Sequence, residues 1–120
     1  MWQYRQSDGA LSRGGEVIAH GYSGHGAGVN NHAMEGVAKV GPIPCGRYTI
    51  GKPFDHPTVG KFAMRLTPNA GTNTHGRSGF LMHGDNSAGN HTASEGCIVA
   101  MHPTRMKVAQ SDSDQIEVVP

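Results

Sequence analysis

Hydrophobic and polar residues alternate in short runs along this chain, and turn residues separate the runs at close intervals. Apolar positions that recur every second residue, rich in β-branched and aromatic side chains, are typical of half-buried strands. The pattern predicts strands at 2–5, 10–12, 16–22, 46–51, 61–66, 79–83, 97–101 and 115–119. The first of these is expected at a sheet edge, and the glycine-containing stretch 23–31 is expected to be a loop outside the core.

Helical periodicity is rare by comparison. One helix is predicted over 102–110, because Pro103 suits a first helical turn and Met106, Val108 and Ala109 offer an apolar side. A further helical turn is predicted within 32–37. The 18 glycines and 7 prolines among 120 residues also favour short strands and many turns. We therefore expect one mainly β domain over residues 1–120, a sandwich or partly open barrel with one or two short helices.

Charge and hydropathy exclude some classes of function. A net charge of +1 with 16% charged residues, scattered along the chain, gives no basic face for nucleic acid. No apolar window of about 18 residues is present, so no membrane span is expected. Residues 1–8 lack both the basic and the apolar region of a secretory signal peptide, and synthesis in the cytoplasm without such a signal is expected.

A histidine and a cysteine supply the candidate chemistry. His83 ends one apolar run and Cys97 begins another, 14 positions later, which suits two neighbouring strands joined by the polar loop 85–92. An imidazole beside a thiol can lower the pKa of the thiol by forming an ion pair, and this activates a cysteine nucleophile. Gly96 permits strained backbone, and the N–H groups around Cys97 are candidate donors to an oxyanion.

The same residues carry a family resemblance. His83-Gly84, Ser94-x-Gly96-Cys97 and the upstream segment 41–50, Gly-Pro-Ile-Pro-x-Gly-x-Tyr-x-Ile, together resemble the YkuD-type catalytic domain of bacterial L,D-transpeptidases, the peptidoglycan cross-linking cysteine enzymes. The flanking segments 21–24, 30–31, 34–35, 64–68 and 76–80 are most similar to the compact type VI secretion L,D-transpeptidase effectors. The resemblance covers roughly residues 2–119 and implies a mixed β-sandwich.

The resemblance also implies an activity and its setting. It implies acyl transfer from a peptidoglycan stem tetrapeptide, as an L,D-carboxypeptidase or a D-amino acid exchange enzyme, by an antibacterial toxin that type VI secretion injects into a competitor's periplasm. A cognate immunity protein is implied as a partner, and we expect a monomer with no cofactor and no metal. The predicted catalytic residues are Cys97, His83, Ser94 and Gly96, and the predicted substrate-binding residues are Arg77, Gly84, Asp85, Tyr22, Ser23 and Asn31.

Several points stay open in the sequence. Glu95 stands where the better known transpeptidase signature has a second histidine, so no role of that histidine is transferred. Asp85 either orients the imidazole of His83 or begins the loop, and His91 is a rival for the base. One alternative function is a zinc peptidase with His83, Asp85, His91 and Cys97 as ligands, although the spacing is not that of a known zinc motif. The other is a non-catalytic peptidoglycan-binding module. A Cys45–Cys97 disulfide would abolish the nucleophile.

Overall fold

The computed structural model describes residues 1–86 and 94–120, and these residues form mainly β structure. The strands are β1 Trp2–Arg5, β2 Ala10–Arg13, β3 Glu16–His20, β4 Tyr22–Ser23, β5 Gly46–Ile50, β6 Phe54–His56, β7 Gly60–Pro68, β8 Leu81–His83, β9 Ile98–Val99 and β10 Gln115–Val119. A single helix of the described residues, α1, spans His102–Gln110, and 3₁₀ turns span Gly26–Gly28 and His32–Met34. The predicted mainly β fold with one short helix is confirmed.

The strands form one mixed sheet with the order β3-β2-β1-β10-β5-β7-β8-β9-β4, and β6 pairs with β7 beside this path. Two pairs are parallel, β1 with β10 and β8 with β9. The remaining pairs are antiparallel, beginning with the β1–β2 hairpin. Among the described strands the sheet does not close, since β3 and β4 are its two ends.

Those two ends are nevertheless joined by a single residue, Gly21. A sheet whose first and last strands follow each other directly in the chain must curve, which is consistent with the sandwich or partly open barrel that the sequence predicted. Glycine is required at this seam. The Gly21 N–H donates to the Gly9 carbonyl at 2.8 Å, and a Cβ on Gly21 would lie 2.1 Å from the Val99 carbonyl oxygen.

The core fills the inside of the rolled sheet. It is formed by buried apolar residues of nearly every long strand together with Val108 of α1, and the largest fully buried apolar side chains are Tyr4, Leu11, Ile43, Tyr48, Met64, Leu66, Met82, Ile98 and Ile116. The helix packs on the sheet through Thr104, Arg105 and Val108, while Met106 is only partly buried. The predicted apolar side of the helix was therefore partly wrong, because an arginine occupies the buried face.

Three further expectations need correction, and one strand was not expected. Strand β1 is not an edge strand, because it lies between β2 and β10. The predicted strand 16–22 divides at Gly21 into β3 and β4, and β6 was not predicted. The loop 23–31 is not wholly outside the core: Ser23 and Gly28 are buried, and the Ser23 hydroxyl accepts the Ile43 N–H at 2.9 Å.

No helix among the described residues is long and apolar enough to cross a membrane.

Candidate active site

The parallel pair β8 and β9 brings His83 and Cys97 to one face of the sheet. His83 is aligned with Val99 and Met82 with Ile98, so Cys97, directly before β9, is level with Leu81. Aligned residues of paired strands share a face, and so do residues two apart on one strand. Both His83 and Cys97 line the same cavity, which has a volume of about 700 Å³. The predicted pairing of the two neighbouring strands is confirmed, but Cys97 lies directly before β9 rather than within it.

The thiol of Cys97 is partly buried and protonated at rest. Burial raises the pKa of this thiol, and the Glu95 carboxylate raises it further. The backbone of Leu81 and the positive charge of Arg77 act in the opposite direction without outweighing the burial. Both cysteines are free, so no disulfide joins Cys45 to Cys97.

The imidazole of His83 is buried and oriented by the backbone. Its Nδ1 lies 2.7 Å from the Gly84 carbonyl oxygen, which can only accept, so the proton is on Nδ1 and Nε2 keeps its lone pair. Burial lowers the pKa of His83, and the nearby Arg105 lowers it as well. An ion pair between thiolate and imidazolium was expected from the sequence. The shifts of the two pKa values oppose it and favour a neutral thiol and a neutral imidazole, because the site is desolvated.

A hydrogen-bonded turn precedes Cys97. The buried Ser94 hydroxyl accepts the N–H groups of Gly24 at 3.0 Å and Gly96 at 3.1 Å, and donates to the Cys97 carbonyl at 2.7 Å. The Gly96 N–H is therefore already used and is not a donor to an oxyanion. Gly96 adopts φ +124°, a conformation that only glycine adopts without strain.

Arg77 fastens this turn to a second loop. Its guanidinium donates to the carbonyls of Glu35 at 2.5 Å, Pro42 at 2.8 Å, Gly41 at 3.0 Å and Glu95 at 3.3 Å. A Cβ on Gly96 would lie only 2.1 Å from Nη2 of Arg77, which is a second reason for glycine there. Arg77 lines the cavity, but four backbone carbonyls engage its guanidinium, and a substrate carboxylate would have to compete with them.

The other predicted substrate-binding residues lie outside the lining of this cavity. Asp85 accepts the Tyr22 hydroxyl at 2.7 Å, and both residues line a second cavity on the β4 side of β9. Asp85 therefore does not orient the imidazole through a hydrogen bond, because the Gly84 carbonyl has that place. Ser23 is buried against Ile43, and the Asn31 side chain caps the second 3₁₀ turn by accepting the Ala33 N–H at 3.2 Å.

Sequence reasoning missed Arg105. This arginine of α1 is 5% exposed and donates through Nη1 to the Ala100 carbonyl at 3.1 Å, while its Nε has no hydrogen-bond partner among residues 1–86 and 94–120. A Cβ on Gly84 would lie 2.5 Å from Nη1, so the guanidinium packs directly against the residue after His83. The available signal in the sequence was the spacing of Arg105 and Val108, which puts the arginine on the same side of the predicted helix as an apolar residue.

The zinc ligands of the alternative function do not come together in the described residues. The one group of three or more ligand-type side chains found among residues 1–86 and 94–120 contains neither His83, Asp85 nor Cys97. His91 and most of the predicted loop 85–92 lie outside the described residues.

Comparison with known proteins gives one family. A family model described as the Tlde1 domain matches residues 18–119, which include every residue of the cavity and all strands from β4 onward. A search among curated proteins gave no match.

Proposed function

The chain belongs to the Tlde1 domain family, the type VI secretion L,D-transpeptidase effectors, and from this premise we propose that it is a cysteine acyl-transfer enzyme of peptidoglycan stem tetrapeptides. The single observation that carries the proposal is the shared cavity of His83 and Cys97, with the imidazole in the tautomer that a general base requires. The cavity has the volume of an ordinary small-ligand site.

In the proposed first step, the Cys97 sulfur attacks the carbonyl carbon of the third residue of the tetrapeptide, an L-centred diamino acid. The thiol proton passes to Nε2 of His83 as the bond forms, since both groups are neutral at rest. When the tetrahedral intermediate collapses, the bond to the terminal D-Ala nitrogen breaks and His83 returns the proton to the leaving amine. A thioester on Cys97 remains.

The acceptor of the acyl group decides the outcome. Water gives an L,D-carboxypeptidase, a free D-amino acid gives exchange, and a second stem peptide gives a cross-link. The first two remove tetrapeptide donors, which suits a toxin that type VI secretion delivers into a competitor's periplasm. A producer of such a toxin needs a cognate immunity protein. We propose that residues 1–120 act as one catalytic domain and as a monomer.

The neighbouring residues receive positioning roles in this proposal. Ser94 and Gly96 shape the turn that presents Cys97, and Gly84 fixes the imidazole through its carbonyl. Arg77 secures the turn and contributes a positive charge near the sulfur. We retain Arg77 as a candidate for the substrate carboxylate, and Asp85, Tyr22 and Asn31 as weaker candidates for contacts beyond the cavity. Ser23 is fully buried and is not retained.

The test is mass spectrometry of tetrapeptide muropeptides incubated with the wild-type protein, with Cys97→Ala and with Cys45→Ala as the matched control, each with and without D-methionine. The proposal expects loss of D-Ala, or its replacement by D-methionine, with the wild type and Cys45→Ala. Cys97→Ala should lose at least about a hundredfold of this activity, since it removes the nucleophile.

Other outcomes would contradict the proposal. Unchanged muropeptides from a folded wild-type protein, together with retained binding to peptidoglycan sacculi, would indicate a binding module. Full activity of Cys97→Ala would exclude the cysteine mechanism.

A further inference from the structure

A second group of reactive side chains lies outside the cavity of Cys97. The ligand atoms of His32, Glu35 and Cys45 all lie within 4.8 Å of one another. They belong to the second 3₁₀ turn, the residue after it, and the loop before β5. The function proposed for the cavity uses none of these three side chains. We propose that they form a zinc site, with Gln6 as a fourth, oxygen ligand.

The distances between the donor atoms match a tetrahedral zinc ion. Zinc binds sulfur at about 2.3 Å and imidazole nitrogen at about 2.0–2.1 Å, which places the two donors about 3.6 Å apart. Cys45 Sγ and His32 Nδ1 are 3.8 Å apart, and His32 Nδ1 and Glu35 Oε1 are 3.6 Å apart. Two of the three donor pairs therefore already have nearly the spacing that a bound zinc ion requires, and the ligand atoms of the third pair lie within 4.8 Å of each other.

The side chain of Gln6 faces the space between His32 and Cys45. Its side chain is fully buried, and its amide nitrogen donates to Glu35 Oε1 at 3.0 Å and to the Ile43 carbonyl at 2.8 Å. This directs Oε1 toward the cluster, 2.7 Å from His32 Nδ1 and 3.5 Å from Cys45 Sγ. The four donors are one sulfur, one nitrogen and two oxygens, and the thiolate and imidazole select zinc over magnesium or calcium.

The charges balance when the metal binds. The Cys45 thiol gives its proton to solvent as the sulfur–zinc bond forms, and the His32 proton moves from Nδ1 to Nε2 so that Nδ1 can bind. A thiolate and a carboxylate then neutralise the dication. His32 and Cys45 are exposed and partly exposed, respectively, so the metal has a path from solvent.

The site would also stabilise the loop that Arg77 holds. The Glu35 carbonyl accepts from Arg77, and so do the carbonyls of Gly41 and Pro42, which lie between Glu35 and Cys45 in the chain. A zinc ion bound by Glu35 and Cys45 closes this loop from its other side. Zinc is therefore expected to raise the melting temperature of the protein.

The test measures metal on untagged, full-length protein. After dialysis against zinc and removal of excess metal, elemental analysis should find about one zinc per chain in the wild type. Cys45→Ser and His32→Ala should each weaken zinc binding at least about tenfold. Two matched variants should keep it: Cys97→Ala removes the other cysteine, and His25→Ala removes an exposed histidine of the neighbouring loop.

Cobalt replaces zinc as a spectroscopic probe. A thiolate-to-cobalt charge-transfer band should appear in the wild type and in Cys97→Ala, and should be missing in Cys45→Ser. Absence of stoichiometric zinc in the wild type would overturn the proposal. So would unchanged zinc binding in both Cys45→Ser and His32→Ala, or a cobalt band that depends on Cys97. His32 is a surface residue, so His32→Ala tests the site even if Cys45→Ser does not fold.

Discussion

The two cysteines of the chain lie in surroundings that differ in charge. Cys97 borders a cavity, with Arg77 as the nearby cation and His83 as the histidine of the adjoining strand. Cys45 lies in a cluster of hydrogen-bonded polar side chains, where its Sγ is 3.8 Å from His32 Nδ1 and its N–H donates to the Glu35 carboxylate at 2.9 Å. Burial, reinforced by Glu35, raises the pKa of Cys45 to about 12.

The difference teaches that a histidine beside a cysteine does not by itself make a nucleophile. Burial raises the pKa of both thiols, but at Cys97 the Arg77 cation opposes this shift more strongly than the Glu95 carboxylate reinforces it, whereas at Cys45 the Glu35 carboxylate only adds to it. The carboxylate stays ionised there. Although burial raises the pKa of Glu35, hydrogen bonds from Cys45, Gln6 and His75 outweigh it and lower that pKa to about 2. A thiol beside a fixed anion suits a metal ligand, and one beside a cation and a base suits attack on a carbonyl.

Of the changes predicted here, removal of the Arg77 cation near Cys97 should have the largest effect. Arg77→Ala leaves four buried or half-buried carbonyls without their donor and opens a gap against Gly96. We expect the free energy of unfolding to fall by about 3 kcal/mol, because buried groups lose their partners. Alkylation of Cys97 in the native protein should also slow, since the turn that presents the thiol loses its anchor. Urea denaturation and iodoacetamide labelling measure the two effects.

Arg65→Ala is the matched control for that variant. Arg65 is an exposed arginine of β7, and its replacement should change stability by no more than about 0.5 kcal/mol. If Arg77 mainly binds a substrate carboxylate, Arg77→Ala will fold normally, keep its thiol reactivity and raise only the KM. That result would contradict the anchoring role.

A smaller expected effect is a difference between the two thiols in the rate and pH dependence of alkylation. We expect the alkylation rate of Cys97, measured in Cys45→Ala, to rise with pH through a midpoint above the ordinary thiol value of about 8.5, because burial raises this pKa. Cys45, measured in metal-free Cys97→Ala, should react at least about tenfold more slowly at about pH 9, where it stays protonated. Rates are followed by intact-protein mass spectrometry.

Two outcomes would contradict this contrast. A Cys97 midpoint below about 7 would mean that a thiolate–imidazolium pair already exists at rest. Equal rates for the two cysteines would mean that Glu35 does not suppress Cys45.

Local patterns were enough to predict several elements. The bounds of α1 and β10 agree with the prediction, and the pairing of β8, which carries His83, with β9, which follows Cys97, was correctly inferred from two apolar runs. The predictions failed where distant segments decide the outcome. Strand β1 is interior because the C-terminal β10 pairs with it, and the strand that was expected to end at Tyr22 breaks at Gly21, the single residue between the two end strands of the sheet.

In the site, too, the roles that depend on distant segments were not predicted. His83 and Cys97 lie at two paired strands that are close in the sequence, and a histidine and a cysteine are recognisable there as candidate catalytic residues. The roles of Arg77 and Arg105 depend on tertiary contacts, with carbonyls of the 35–42 loop and with Gly84, respectively. The cluster of His32, Glu35 and Cys45 also has no sequence motif, because a turn and a loop bring its members to Gln6. No metal was expected from the sequence for that reason.

The central claim is that Cys97 forms a thioester with the stem peptide and that His83 serves as its base. Intact-protein mass spectrometry of protein quenched with acid during turnover of a tetrapeptide muropeptide tests it most directly. The account predicts an adduct on Cys97 with the mass of the substrate minus D-Ala, present in the wild type and in Cys45→Ala, and strongly reduced in His83→Ala. A folded, active protein that never carries the adduct, or that carries it on Cys45, would contradict the account.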